Sequence, residues 1–175
     1  MSTHRADSVG TPDIETTRWR IDPARSSVEF RARTAWGLPT VKGRFSRYQG
    51  TLNLSRQPAI ELTVESDSLD TDNKKRDAHL RSPAFFGAEQ HPYVRFVSES
   101  ATLDGDRLKV RGHLHAGGSA LPLELDVTLR RVGDELEVEA ATDADHRQLG
   151  MIWKLGMPLS PSRLTLKGRL VQADA

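Results

Sequence analysis

Apolar and polar residues alternate with a period of two along most of this chain. In "AIELTVES" (59–66), Ile60, Leu62 and Val64 alternate with Glu61, Thr63 and Glu65, which places one set on a buried face and the other in water. The same pattern runs through "SSVEFRAR" at Val28, Phe30 and Ala32, and through "LPLELDVTLRRV" at Leu121, Leu123, Leu125, Val127 and Leu129. It continues in "DRLKVRGHL", "DELEVEA" and "SRLTLKGRLV". Asp104-Gly105 and Gly133-Asp134 stand between such runs as the short turns that join antiparallel neighbours. The pattern predicts a meander of about eight to ten strands, each with one apolar face. A sandwich or a closed barrel would satisfy it. Closure removes exposed edges, and an eight-stranded barrel has room inside for packed side chains or one elongated ligand. Gly43, Gly112 and Gly168 fall on the apolar faces of their strands, where a missing side chain either lets the strand bend or widens the interior.

The period of two gives way once, between residues 70 and 92. Asp72 or Asn73 can cap a short helix through "KKRDAHLRS", because a side-chain oxygen there accepts from the exposed amides of the first turn. Pro83 then starts a second short turn. Ala78 and Leu80 are the only apolar residues of that helix, so it needs an anchor. The following "SPAFFG" supplies one: Phe85 and Phe86 are expected to plug one end of the β-core while Gly87 turns the chain away. The segment reads as a lid, and the burial of its two rings is expected to depend on what the core holds.

Composition narrows the function. A chain of 175 residues that is 37% hydrophobic suits one domain with a sizeable core. The 25 Lys and Arg balance the 24 Asp and Glu and are spread along the chain, so the basic footprint of a nucleic-acid binder is missing. No cysteine is present, which removes disulfides and thiolate metal sites and makes a reducing compartment, the cytoplasm, the default expectation. Residues 1–16 are polar and aperiodic and lack the apolar run of a secretory signal. They are expected to be a disordered tail ahead of a single domain over 17–175. No window has the ~20 apolar residues of a transmembrane segment.

Candidate chemistry is sparse. His113 and His115 form a His-x-His that presents both rings on one strand face. Alternation turns that face outward, beside Lys109 and Arg111, and no His-Glu-x-x-His or cysteine completes a metal site. A small metal-dependent enzyme using these surface histidines and His146 is one alternative; a ligand-free β scaffold for a protein partner, filled by Phe30, Phe45, Phe96 and Trp153, is another. There is no Gly-x-Ser-x-Gly elbow. Asp77, His79 and Ser82 lie on one short helix at spacings that cannot form a line of hydrogen bonds. Asp143 and Asp145 read as part of a charged connection, "ATDADHRQLG". No catalytic residue, metal or cofactor is expected.

"LDTDNKKRDAHLRSPAFFGAEQHPYVRF" resembles the signature of the YceI-like family of bacterial lipid-binding proteins, with support from "IDPARSSVEF", "VKGRFSRYQGTL" and "DHRQLGM". The resemblance runs from Trp19 to about Val171. It implies an all-β fold, an extended antiparallel eight-stranded lipocalin-like barrel with a short helical lid insertion. It also implies a carrier of a long-chain isoprenoid, quinone-like, or of a fatty amphiphile, and a homodimer. The physical basis is simple: each buried methylene is worth ~0.8 kcal/mol, so a narrow apolar tube holds a polyprenyl chain with few polar contacts.

Two departures from the family pattern stand out. Where many members have a histidine after the first long strand, this chain reads "RTAWGLPT", and the family's threonine-rich segment appears as "LHAGGSALP". The residues expected to line the channel, one from each apolar face, are Val28, Phe30, Phe45, Leu62, Val64, Phe96, Leu114, Leu125, Val127 and Leu166. Trp36, Phe85, Phe86 and Trp153 are assigned to its ends. Arg76, His79 and Arg147 are assigned to a polar head group.

Overall fold

The computed structural model describes residues 18–32, 40–151 and 162–173. Ten strands are present among them: β1 (Arg18–Ala32), β2 (Val41–Phe45), β3 (Tyr48–Asn53), β4 (Ala59–Glu65), β5 (Leu69–Asp70), β6 (Tyr93–Asp104), β7 (Arg107–Ala116), β8 (Ser119–Val132), β9 (Glu135–Ala144) and β10 (Ser162–Gln172). One α-helix, α1 (Lys74–Arg81), lies between β5 and β6. All pairings are antiparallel, and the ring runs β1–β3–β4–β6–β7–β8–β9–β10 and back to β1. This is a closed eight-stranded barrel.

The barrel is extended at one end. β1 is long enough to serve two partners on the same edge: Arg18–Arg20 face β3, and Val28–Ala32 face β2. β2 in turn pairs with the two-residue β5. A bulge between Asp22 and Ser27 shifts the register of β1 against β10, with Asp22 accepting from the Ala24 amide and the Ser26 hydroxyl donating to the Asp22 carbonyl. Such an interruption lets a long strand bend around a barrel.

Alternation fixes which face looks inward. Leu108, Val110, Leu121, Leu123, Val127, Leu129, Leu136 and Val138 are buried in one core. The opposite face carries directly paired charges: Arg111 with Glu124, Arg130 with Glu137, Arg163 with Asp143 and Lys167 with Glu139. Each exposed pair contributes little to stability. A one-residue slip would nevertheless turn every charge into the core, so the pattern specifies the register. Three hairpins are closed by two-residue turns, Gly105-Asp106, Gly117-Gly118 and Gly133-Asp134.

The inward glycines do not widen the interior. A Cβ on Gly43 would fall 2.3 Å from the Phe30 ring, one on Gly112 would fall 2.3 Å from the Val97 carbonyl, and one on Gly168 would collide with Ser26. Each vacancy is already filled by a neighbour: Phe30 lies over its cross-strand partner Gly43, and Ser26 of the β1 bulge tucks against Gly168. The cavity reading of these three positions is therefore corrected to close packing.

Candidate ligand-binding cavity

The interior is divided along the barrel axis. Near the ends of β1, β7 and β9 where the chain enters them, Trp19, Leu54, Leu108 and Leu136 are fully buried and fill the cross-section. Toward the other end the walls part around a cavity of about 220 Å³. Along β10 its lining runs from Ser162 to Leu170, about 26 Å of strand. The wall is almost wholly apolar, as a site for a long hydrocarbon requires.

The helical insertion sits over the open end and is tied down by polar contacts. Asn73 caps α1 by accepting from the Arg76 amide at 3.0 Å. Buried Asp77 accepts from the Thr71 amide at 2.9 Å and from the Thr71 hydroxyl. The Arg81 guanidinium donates to the Leu69 carbonyl at 2.6 Å. After the helix, the Phe86 and Ala88 amides donate back to the Leu80 and Arg81 carbonyls, which swings both phenylalanines under α1. The Phe86 ring meets Phe45 edge-on at 6.0 Å, and Phe45 lies 5.9 Å from Phe30.

The structure brings most of the expected channel residues together. Val28, Phe30, Phe45, Leu62, Val64, Phe96, Leu114, Leu125, Val127 and Leu166 all line this one cavity, as do Phe85 and Phe86 at its end. Phe85 is only 4% exposed and is held by the turn that follows α1, its amide donating to the Ser82 carbonyl at 3.0 Å. Trp36 and Trp153 lie outside the described residues.

The three residues assigned to a head group lie off the cavity wall. Arg76 is taken up by Thr71, donating to its hydroxyl at 2.9 Å and its carbonyl at 2.6 Å. His79 is exposed on the outer side of α1 with its ring 5.0 Å from Phe85. Arg147 is exposed and ion-paired with Asp145 at 3.0 Å. None of the three lines the cavity. Nor are the alternative metal ligands assembled. His113 pairs with Glu99 at 2.8 Å on the outer surface and His115 is exposed, whereas His146 faces the interior. Among the described residues no three His, Asp or Glu side chains could hold a metal ion together.

His146, which the sequence offers only as an alternative metal ligand, is a polar residue that the structure places on the cavity wall. It begins a single 3-10 turn, His146–Leu149, between β9 and β10. Asp145 caps that turn by accepting from the Arg147 amide, and Gly150, at φ 75°, closes it so that the Met151 amide donates to the His146 carbonyl at 3.1 Å. Asp145 and Arg147 consequently point to solvent and pair with each other, while His146, Leu149 and Met151 are buried on the cavity wall. The Arg147 contact holds the Asp145 carboxyl below its usual range. Burial pushes the His146 imidazole below its ordinary value, and Asp145 opposes that shift only in part. Neither ring nitrogen of His146 has a hydrogen-bond partner among the described residues. A buried polar group left unpaired costs about 1–3 kcal/mol.

An antiparallel eight-stranded barrel with an apolar cavity and a helical insertion over one end defines the lipocalin-like class of closed barrels, whose interiors are filled by side chains or hold one small ligand. The model of the YceI-like domain matches residues 19–170, and the chain belongs to that family. It is 32% identical over 112 residues to a UPF0312 protein of Pectobacterium atrosepticum, spanning 62% of this chain and 58% of that one. It is 33% identical over 103 residues to protein YceI of Escherichia coli O157:H7, spanning 57% of this chain and 54% of that one. The chain thus spans a little over half the length of these bacterial relatives. Among solved structures, it resembles Burkholderia cenocepacia BcnA with a TM-score of 0.77 at 16% identity, covering 85% of this chain and 98% of that one. It also resembles a polyisoprenoid-binding domain from Saccharophagus degradans with a TM-score of 0.69 at 13% identity, covering 90% and 99%. At these identities the structural likeness speaks for the fold.

Proposed function

We propose that this protein binds a long-chain isoprenoid or a similar amphiphile inside the barrel and carries or sequesters it. The observation that carries the reading is the apolar cavity running under the Phe85-Phe86 lid. A packed scaffold would fill that space, because a void forfeits the contacts that neighbouring side chains would make. An elongated hydrocarbon would restore them and leave water at the same time. The polyisoprenoid-binding neighbour with the same fold supports the chemical class. The catalytic alternative has no assembled group of side chains in its favour among the described residues.

Organic extraction of the purified protein followed by mass spectrometry tests this directly. A prenyl lipid recovered near one per chain, or saturable uptake of geranylgeraniol by lipid-stripped protein, is the expected result. Protein that carries no lipid and takes up no prenyl probe would overturn the carrier reading and leave the scaffold.

A further inference from the structure

The cavity is long and apolar, yet one hydrogen-bonding side chain is built into its wall and left without a partner. His146 is 9% exposed, lines the cavity, and makes no hydrogen bond through Nδ1 or Nε2 among the described residues. Of the side-chain N and O atoms on this wall, those of His146 are the ones both buried and unpartnered among the described residues; three other polar residues of the wall are turned to other partners or to solvent. The Thr142 hydroxyl donates to the Glu124 carbonyl at 3.0 Å. The Glu61 carboxylate pairs with Arg95 on the outer surface. Glu29 is exposed on the outward face of β1. The placement of His146 is not incidental, since the Asp145 cap, the Gly150 bend and the Asp145–Arg147 ion pair together turn this one side chain inward.

The end of the cavity at which His146 lies is the lid end. β9 ends at Ala144, paired with Ser162 at the start of β10. Met151, bonded to the same turn, approaches Gly117 of the β7–β8 hairpin, and Gly117 in turn lies beneath the Phe85 and Phe86 carbonyls. An amphiphile inserted tail-first would leave its polar end here.

Resting on the carrier reading above, we propose that His146 is the polar anchor of the cavity. It hydrogen-bonds a single uncharged oxygen, a hydroxyl or carbonyl, at the end of the bound isoprenoid. A neutral imidazole offers one N–H donor and one acceptor nitrogen, which suits either group. No lysine or arginine lines the cavity among the described residues. A phosphate or diphosphate head drawn to the same depth would lose its water without gaining a cation. Burial keeps the imidazole in its neutral form, consistent with an uncharged partner.

The test compares geranylgeraniol, geranylgeranyl diphosphate and the parent hydrocarbon lacking the oxygen, each displacing a fluorescent long-chain probe from the lipid-stripped full chain. The expected order is alcohol tighter than hydrocarbon by roughly tenfold, with the diphosphate weaker than the alcohol. His146→Phe should erase the preference for the alcohol while keeping hydrocarbon affinity, and His146→Gln should restore part of it. Independently of any variant, nitrogen NMR of histidine-labelled wild-type protein should show the His146 ring signals move with the alcohol and not with the hydrocarbon. Equal binding of alcohol and hydrocarbon, an unchanged preference in folded His146→Phe, or tighter binding of the diphosphate would each overturn the anchor while leaving the carrier intact. Binding of none of the three would overturn both.

Discussion

Gly43→Ala adds one methyl group to the wall of the barrel, and its effect can be worked through from the contacts. The new Cβ would stand 2.3 Å from Cε1 and Cζ of Phe30 and 3.0 Å from Cγ2 of Thr71, where ordinary contact begins at 3.4 Å. The Phe30 ring must therefore retreat by about 1.1 Å (3.4 − 2.3). It has two directions to go: into the cavity it lines, or onto Phe45, which bears on Phe86 of the lid. Either displacement is an overpacking strain of about 1–3 kcal/mol. In a domain of this size that lowers Tm by about 2–12 °C. On the carrier reading, affinity for geranylgeraniol should fall with it, because the first direction takes cavity space and the second displaces Phe45 and Phe86, which line the same cavity. Phe30→Leu in the Gly43→Ala background removes the colliding ring atoms and should recover most of both losses. A double-mutant cycle in urea, with probe binding measured alongside, should give a coupling on the order of 1 kcal/mol or more. Additive stability changes, or a single mutant that binds the probe like wild type, would refute the account of Gly43 as the seat of Phe30.

Three further outcomes are expected. Phe85→Ala should cost about 3–5 kcal/mol even without ligand, since that ring is core, whereas half-buried Phe86→Ala should cost less and mainly speed release of a long-chain probe in stopped flow. Asp77→Ala leaves the Thr71 amide without its acceptor and should lower stability by about 1–3 kcal/mol, with faster hydrogen exchange confined to α1 and the following turn. Because His146 has its pKa depressed in the folded state, the folded protein binds fewer protons there than the unfolded chain. Stability contributed by the neutral ring is present above the unfolded value of 6.5 and is lost as pH falls below it toward the folded value. Urea midpoints should therefore drop between pH 7 and pH 5 in wild type and stay flatter in His146→Phe; Asp145, also depressed, acts in the lower carboxylate range.

Strand positions and facing were legible because a period of two leaves no choice once one face must be buried. Ile60 through Val64 and Leu121 through Leu129 show it most clearly, and the inward residues of separate strands converge on the same cavity because barrel closure follows from the same alternation. Asn73 was legible as a cap for a local reason, the geometry of the first helical turn. What alternation cannot supply is the partner of an inward glycine. Gly43 and Gly168 are explained by Phe30 and Ser26, and the second of these lies on a strand more than a hundred positions away in the chain. His146 was obscured for a different reason. The periodic signal stops at Ala144, and a four-residue turn between Asp145 and Gly150 has no period to read, so the stretch reads only as a charged connection. The clue was the framing itself, an Asp that can cap and a Gly that can end a turn, with Leu149 and Met151 marking an inward side.

The seam between β1 and β10 has a consequence for how such a barrel comes into being. Ser26 accepts from the Arg169 amide at 3.2 Å, across 143 positions of sequence, and Arg18 receives the Ala173 amide at 2.8 Å. At typical rates of synthesis, β10 emerges on the order of 10 s after β1. Throughout that interval the nascent sheet has an unzipped flank and its greasy inner surface is accessible from the side. Non-local closure of this kind is slow compared with hairpin formation. On the carrier reading, a newborn chain therefore offers a hydrophobic guest a lateral route that vanishes once the last strand docks, leaving the end covered by α1 and the Phe85-Phe86 turn.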